Sequence, residues 1–348
     1  MDTRKIFLLS LSSCLRYGLR AQDRSRVLTI SGYAEAYYQY DFNKPVTRER
    51  PGFLYNHKRH NEWNINLAYL KAAWTDQKAY ANLAFMGGSY AQYNLSNEPA
   101  VFQQVLEANA GYRFSEHWSV EAGILPSHIG MESAVSKDCW NLSRSLLAEN
   151  SPYYEAGAKL CYTDGKQWTG SLLLLNGWQN IRENNRYKAM GGQLQFRPGN
   201  GWLFNYSNFL GREKPDSIRG PARHFHNFYG SGPLTPQLNL AVLLDIGMEG
   251  SRSWYGSAVL LQYIPAEKFR TGFRAERYKD LNGLIVPSPV PGGFLVNGCS
   301  LNADFIPSGH LSCRAEIRYL RSATRSFEKA GGYSRDNLSL LCSLAVSF

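Results

Sequence analysis

The chain has 348 residues, 44% hydrophobic and 14% aromatic, with a net charge of +10. Its mean hydropathy is −0.37 and no run approaches the roughly 18 apolar residues of a membrane helix, which excludes helical spanning; membrane strands need only about 9–11 alternating residues each. The basic residues are scattered without a compact patch, so nucleic acid is not an expected partner, and anionic lipopolysaccharide or anionic solutes suit the charge better.

In chain order, Arg4 and Lys5 precede an apolar segment from Ile6 to Leu15, and Ala21 stands at a small-residue cleavage position. This is the outline of a secretory signal over residues 1–21. Arg16, Arg20 and the large Leu19 fit it imperfectly. Leu11-Ser12-Ser13-Cys14 offers a rival lipoprotein box, with Cys14 lipidated. Cleavage near Ala21 leaves one domain, 22–348, with a charge of +7 after the loss of Arg4, Lys5, Arg16, Arg20 and Asp2.

Alternation then predicts strand after strand, because successive strand side chains point to opposite faces. The first, Leu28 to Tyr40, sets Ser31, Tyr33, Glu35, Tyr37 and Gln39 against Ile30, Gly32, Ala34, Ala36, Tyr38 and Tyr40. The second sets Trp63, Ile65, Leu67 and Tyr69 against Asn64, Asn66 and Ala68. The third is Ala79 to Gly87. The fourth opposes Leu106, Ala108, Ala110, Tyr112 and Phe114 to Glu107, Asn109, Gly111 and Arg113. The fifth opposes Trp118, Val120, Ala122 and Ile124 to His117, Ser119, Glu121 and Gly123. The sixth, Tyr153 to Thr163, ends at the hairpin signal Asp164-Gly165. The seventh, Gln167 to Leu175, alternates worst, since Leu172 to Leu175 are consecutive. The eighth, around Met190 to Arg197, turns through Pro198-Gly199-Asn200 into the ninth, Trp202 to Leu210. Four more follow: Arg223 to Tyr229, Gln237 to Gly247, Trp254 to Tyr263, and a thirteenth around Lys268 to Glu276. The fourteenth is Phe294 to Phe305, and the fifteenth opposes Leu311, Cys313, Ala315, Ile317 and Tyr319 to His310, Ser312, Arg314, Glu316 and Arg318.

The last segment, Asp336 to Phe348, has Leu338, Leu340, Cys342, Leu344, Val346 and Phe348 on one face and mostly small polar residues on the other. It carries no charge after Asp336 and stops on an aromatic residue. A soluble domain seldom exposes such a stripe, whereas a transmembrane barrel turns it toward lipid. Connections after odd strands are long and those after even strands are mostly tight turns, as in a barrel inserted from one side; the one after strand eleven, Met248 to Ser253, is shorter than that rule. The expected fold is therefore all-β: a transmembrane antiparallel barrel of about 16 strands, with short periplasmic turns and long outer loops. In hydrocarbon a sheet must close on itself, because no water satisfies its edges. Sixteen strands leave an aqueous interior that side chains alone do not fill.

The polar parity nominates lumen residues: Glu35, Glu107, Arg113, Glu121, Glu155, Lys159, Lys268, Arg270, Arg274, Glu276, Arg314, Glu316 and Arg318. Strands five and thirteen are eight apart in a ring of sixteen, so a mixed, partly acidic wall would face a basic one across the bore; simple solvation of these charges is the bland alternative. The long connection Pro126 to Ser151 has weak helical character from Ala134 to Leu147. It would fold inward and constrict the bore through Ser127, His128, Glu132, Trp140 and Arg144, or else pack as a surface loop. Leu284 to Phe294, with Pro287, Pro289 and Pro291, is apolar enough to pack over the rim.

Other chemistry finds little support. His57-x-x-His60 with Glu62 has metal-like spacing but lies in a polar loop rather than on a helix that would align the histidines. Ser127-His128 shows no identifiable acidic partner. Cys139, Cys161, Cys299, Cys313 and Cys342 are odd in number and form no CxxC; the last three fall on the apolar parity as small hydrophobes.

With the strands laid out, the sequence resembles the OmpL-like β-barrel porins of Gram-negative outer membranes. The resemblance rests on Gly32-Tyr33-Ala34-Glu35-Ala36-Tyr37-Tyr38, Tyr55-Asn56 before Asn61-Glu62, and Ser127-His128-Ile129-Gly130-Met131-Glu132. Ser151-Pro152-Tyr153-Tyr154 with Gly157, and Asn176-Gly177-Trp178-Gln179, complete it. The second half matches only in barrel pattern. Membership implies an outer-membrane pore with no cofactor and no catalytic residues. The expected function is passive diffusion of small hydrophilic solutes, with a homo-trimer expected by analogy. The rivals are a non-conducting barrel displaying surface-binding loops and a secreted glycan-binding β-protein.

Overall fold

A computed structural model describes residues 26–287 and 291–348. The signal segment, Cys14, Pro289 and the residues beside it lie outside the described residues. Sixteen strands form one closed antiparallel barrel: β1 (Val27–Asp41), β2 (Trp63–Thr75), β3 (Ala79–Gly87), β4 (Val105–Arg113), β5 (Trp118–Pro126), β6 (Tyr154–Thr163), β7 (Trp168–Leu175), β8 (Ala189–Phe196), β9 (Leu203–Gly211), β10 (Arg223–Pro233), β11 (Leu238–Glu249), β12 (Arg252–Ala266), β13 (Phe269–Asp280), β14 (Phe294–Ser308), β15 (Leu311–Ser322) and β18 (Asp336–Ser347). A hairpin of β16 (Phe327–Lys329) and β17 (Gly332–Ser334) stands outside the ring, between β15 and β18. Each barrel strand pairs with its chain neighbours, and the final strand closes on the first, Ala34 opposite Val346. Phe348 completes the seam: its N–H and C=O bond to Gly32 at 3.1 and 3.0 Å. The Phe348 ring lies over Gly32, 2.5 Å from where a Cβ there would stand.

The terminal stripe faces outward, as its alternation requires: Leu340, Leu344 and Val346 are exposed while Ser339, Ser343 and Ser347 are buried. The second strand departs from simple alternation. A β-bulge shifts the register between Glu35 and Ala36, leaving Asn66 as the extra residue on β2. The bulge flips the parity of the residues beyond it. Trp63 and Ile65 point out, but Leu67 is fully buried and Tyr69 stacks on the inward Tyr33, centroids 5.8 Å apart. Strand ten is regular and longer than its sequence pattern indicated. The short connection after β11 is a two-residue turn, Gly250-Ser251, between strands paired as far as Glu249 and Arg252. Lys268, expected on the inward face of the thirteenth strand, sits exposed in the turn before it.

The interior is divided along the barrel axis. Toward the short turns it is polar: Ser171, Gln195, Asn205, Asn239, Gln262 and Ser312 are buried there. Toward the long loops it is apolar: Leu173, Leu175, Phe209, Phe225, Trp254, Tyr278, Phe294, Val296 and Leu320 point inward and pack with loop residues Phe53, Leu54, Ile129, Leu146 and Trp178. This explains the consecutive leucines of β7. Leu172 and Leu174 are exposed outside, and Leu173 and Leu175 face the internal core.

Candidate functional site: the inturned loop and the barrel lumen

The third outer loop, 127–153, does not lie on the surface. Beyond Pro126 it turns into the barrel, and most of residues 132–151 are buried. Its regular structure is slighter than the sequence indicated: a 3-10 turn at Ser136–Asp138 and one α-helical turn, α1 (Leu146–Glu149), capped by the Ser145 hydroxyl accepting from Ala148 N. Between them the backbone spends its polar groups on the barrel wall, so no longer helix is needed to satisfy it.

The loop's entry is pinned by His128. Its Nδ1 faces both Glu155 oxygens at 2.9 Å, and Nε2 faces the Asn208 carbonyl at 2.8 Å. A Cβ at Gly191 would lie 2.7 Å from the imidazole, so an inward glycine on β8 makes the seat. Glu155 is thus the acidic neighbour that sequence reading did not find. The trio is still not a nucleophilic triad: Ser127 Oγ donates to Glu155 at 3.2 Å, and both ring nitrogens face acceptor oxygens. No ring nitrogen is left to take a proton from the serine, which the chemistry demands.

From there the loop crosses the full bore. Gly130 N bonds to Asn227 on β10 at 3.2 Å. Ser136 Oγ donates to Glu35 Oε1 on β1 at 2.5 Å and lies 2.7 Å from the Tyr33 hydroxyl. Asn141 donates to Asn302 on β14 at 2.8 Å, and Ser143 N and Oγ donate to Glu316 on β15 at 2.7 and 2.5 Å. On β13, diametrically opposite the loop's origin on β5, Glu276 accepts from Leu146 N at 2.6 Å and Arg274 donates to Ser143 O at 2.7 Å. Gly256 and Gly272 open room on β12 and β13; a Cβ would come within 2.8 Å of Leu147 and 2.7 Å of the Trp140 carbonyl.

The wall charges mostly serve this crossing. Arg274 pairs with Glu276, Glu316 and Glu132 at 3.3, 3.3 and 3.8 Å, and Arg318 with Glu276 at 2.6 Å. Arg314 pairs with Asp304 at 2.9 Å and also donates to Ser136 O, Cys139 O and Trp140 O. Arg144 folds back onto the loop, donating to Ser133 O, Leu142 O and Ala134 O, and so satisfies carbonyls that no strand reaches. Burial pushes the Glu132 carboxyl up, against the pull of Arg274. Burial likewise raises Asp138 to about 6, opposed by Lys137, Arg144 and Arg314.

The other nominated residues lie elsewhere. Glu121 pairs with Lys159 at 3.0 Å, and Glu107 with Lys71 at 2.5 Å. Arg113 stacks over the Tyr80 ring, 4.5 Å from its centroid. Arg270 is half-buried on β13, nearer the turn end. Sequence reading missed Asp304, the partner of Arg314, although its inward parity on β14 was legible. The His57 group is dispersed: His57 lies 3.3 Å from Glu35, His60 Nδ1 accepts from Asp41 N, and Glu62 pairs with Arg59. Among the described residues no cluster could hold a metal ion.

The first outer loop, 42–62, also turns inward and locks onto the third. Glu149 accepts from Tyr55 N at 2.7 Å and from Asn56 Nδ2 at 3.3 Å, and Asn56 Nδ2 also donates to the Tyr153 hydroxyl at 3.2 Å. On the wall beneath, Asn66 Nδ2 of β2 donates to Glu35 of β1 at 3.0 Å. The Gln179 amide oxygen accepts from Tyr153 N at 2.7 Å, and Trp178 is part of the internal core. The short motifs that carried the family resemblance are thus largely the residues that fasten the inturned loops.

A closed sixteen-strand antiparallel barrel with a loop drawn across its lumen defines a porin-type outer-membrane protein. Residues 27–348 match the family described as "Putative beta-barrel porin-2, OmpL-like", and the chain belongs to it; that family places it in the outer membrane. No curated protein matches the sequence. Among solved structures the chain is similar to OmpF of Salmonella typhi in complex with daunomycin (11% identity, 92% of this chain and 97% of that one, TM-score 0.63). It is also similar to the anion-selective porin of Comamonas acidovorans (7% identity, 93% and 100%, TM-score 0.60) and to the trimer form of OmpT of Vibrio cholerae (9% identity, 93% and 99%, TM-score 0.59). At these identities the likeness is one of fold.

Proposed function

We propose that the protein is a non-enzymatic outer-membrane porin, exported through the periplasm, whose water-filled bore passes small hydrophilic solutes and is narrowed by the third outer loop. The supporting observation is the crossing itself: residues 136–146 run from β1 to β13 and are fastened at both walls by buried, charge-assisted hydrogen bonds, which are the strong ones. The nominated lumen charges Glu35, Arg274, Glu276, Arg314, Glu316 and Arg318 lie buried against the loop and fix where it crosses, with Ser127, His128, Glu132, Trp140 and Arg144 shaping the constriction. Deleting Val135 to Leu146 raises single-channel conductance in planar bilayers; an unchanged conductance refutes the constriction.

A second reading has its own observation. The apolar core under the long loops packs Phe53, Leu54 and Leu146 against the inner wall, as a plug would. A barrel that displays loops without conducting gives no channel events in the same bilayers. The outer face of the wall bears on assembly. On β1–β6 it carries Ala34, Ala72, Ala81, Ala110, Ala122 and Ala158 interspersed with exposed Leu70, Leu83, Phe85, Tyr112 and Val120, and farther round Leu172, Phe204, Phe228, Phe273 and Ile317 face outward. Small residues allow close approach in lipid, so a homo-trimer would join at the alanine positions of β1–β6 while the rest of the outer face meets lipid and lipopolysaccharide. Cross-linking in mild detergent tests this, and a monomer at all protein concentrations refutes it.

A further inference from the structure

A cavity of about 510 Å³ opens on the outer side of the inturned loops, lined by Arg50, Phe53, Lys58, Ile285, Phe294 and neighbouring residues of the first, seventh and eighth outer connections. That volume is in the range of small-molecule sites, roughly 300–1,000 Å³.

Arg50 and Lys58 are its unusual members. They are 3% and 4% exposed, yet among the described residues neither forms an ion pair. Lys58 Nζ donates to the Pro51 carbonyl at 2.9 Å and lies over the Tyr93 ring, 5.4 Å from its centroid. Arg50 donates from Nη1 to the Asn56 carbonyl at 3.4 Å and from Nε to the Gln39 side-chain oxygen at 2.9 Å, all neutral partners. Elsewhere inside the barrel, Arg223, Arg274, Arg314 and Arg318 each touch a carboxylate. Arg144, which among the described residues pairs with none, is satisfied by three carbonyls of its own loop and does not line this cavity. Burying a cation is costly unless a counter-charge accompanies it.

The nearby carboxylates are engaged already. Asp41 accepts from Asn337 at 2.7 Å, Glu49 pairs with Arg59 at 3.0 Å, Glu149 holds Tyr55 N, and Glu328 holds Thr47 at 2.6 Å. The rest of the lining is hydrocarbon. Phe53 meets Phe294 edge to face with centroids 4.7 Å apart, and Ile285 and Val286 flank them.

We propose that this vestibule binds a small organic carboxylate with an apolar body, its carboxylate between Arg50 and Lys58 and its hydrocarbon against Phe53, Ile285 and Phe294. The ligand's carboxylate supplies the counter-charge that both cations lack, and the aromatic wall discriminates against small inorganic anions. The site lies on the outer side of the constriction, so binding there requires no passage through the bore and stands whether or not the barrel conducts.

The test is isothermal titration calorimetry on the full-length protein folded in detergent, with heat-modifiable gel mobility confirming the barrel. The probes are 4-phenylbutyrate, its neutral amide 4-phenylbutyramide, and acetate. The expected result is saturable one-site binding of phenylbutyrate, with amide and acetate each at least about tenfold weaker, a difference of about 1.4 kcal/mol. Lys58→Gln and Arg50→Gln each weaken phenylbutyrate by about tenfold or more, and Lys58→Arg restores most of it. Equal binding of acid and amide, unchanged affinity in folded Lys58→Gln, or no saturable phenylbutyrate binding each overturns the proposal. The acid–amide comparison uses wild-type protein alone, so it decides even if a variant fails to fold.

Discussion

Replacing Arg274 by methionine tests the fastening of the third loop directly. Arg274 is fully buried, and with Arg318 and Arg144 it makes three cations facing three carboxylates, Glu132, Glu276 and Glu316. Methionine preserves much of the volume and leaves one buried negative charge in excess. Glu276 keeps Arg318, and Glu316 keeps the Ser143 N–H and hydroxyl. Glu132 loses the arginine that offsets its burial. Breaking a buried ion pair from one side costs about 3–5 kcal/mol, which multiplies the undocked fraction of the loop by roughly two to three and a half powers of ten. Cys139 reports this fraction, because its thiol is 7% exposed on the docked loop and burial pushes it up to about 11. Modification at Cys139 by a small methanethiosulfonate, located by mass spectrometry, accelerates by about a hundredfold or more in Arg274→Met if docking is held this way. Adding Glu132→Gln returns the rate most of the way toward wild type, since the excess charge is gone. A Cys139 rate within about twofold of wild type in Arg274→Met would show that packing alone holds the loop, and would refute the reasoning.

Three further outcomes rest on other parts of the same geometry. Gly191→Val drives a side chain into the His128 imidazole, which a Cβ would already approach to 2.7 Å; overpacking of this kind costs about 1–3 kcal/mol, and faster Cys139 modification with an intact barrel in gel mobility is the expected readout. Asp138 has its carboxyl raised from 3.8 to about 6 by burial, with Lys137, Arg144 and Arg314 opposing and Tyr69 facing it from the wall. The docked loop therefore binds this proton more tightly than the undocked one, so docking is strongest in acid and weakens as pH rises through about 6; Cys139 modification, corrected for thiolate fraction, increases across that window, and Asp138→Asn flattens the response. Lys58 is lowered to about 8, first by burial and then by Arg50, with Glu49 and Glu149 opposing. Carboxylate binding in the vestibule therefore weakens as pH rises through about 8, with proton uptake accompanying binding around and above that point and fading well below it; a flat affinity from pH 7 to 9.5 contradicts the role given to this ammonium.

The ring was legible in the sequence because lipid enforces one rule on every strand. The terminal stripe from Leu338 to Phe348 and the alternation in the fifteenth strand have no other economical reading, and tight turns such as Asp164-Gly165 set the order. The parity rule failed where backbone geometry intervened. One extra residue at Asn66 reverses Leu67 and Tyr69, and nothing in Trp63 to Tyr69 announces a bulge by composition. It failed again at Leu172 to Leu175, where the inside of the barrel is itself a hydrophobic core. Residues nominated one by one on inward parity did face inward, apart from Lys268. Their partnerships were hidden to different degrees. Asp304 stands directly opposite Arg314 across the β14–β15 hairpin and was within reach of a register argument, whereas Arg274–Glu316 spans two strands and Glu155–His128 depends on the loop turning inward.

The two halves of the interior place opposite demands on the same loop. Near the turns, amides and hydroxyls such as Gln195, Asn205 and Gln262 can keep water. Near the outer mouth, Phe209, Phe225, Trp254 and Phe294 would expose a wide apolar surface if the bore were empty. A barrel with such a lining is stable only when something covers it, because apolar surface left in water costs about 25 cal/mol per Å². The first and third loops supply that cover, and the arginine–glutamate lattice sets where they stop. Hydrophobic cover holds the loops in without fixing their register, whereas Glu276 and Glu316 accept from particular backbone N–H groups at Leu146 and Ser143. The apolar half thus supplies the driving force for turning inward, and the charged belt supplies the geometry. Glycines at positions 191, 256 and 272 are where the wall yields room for both.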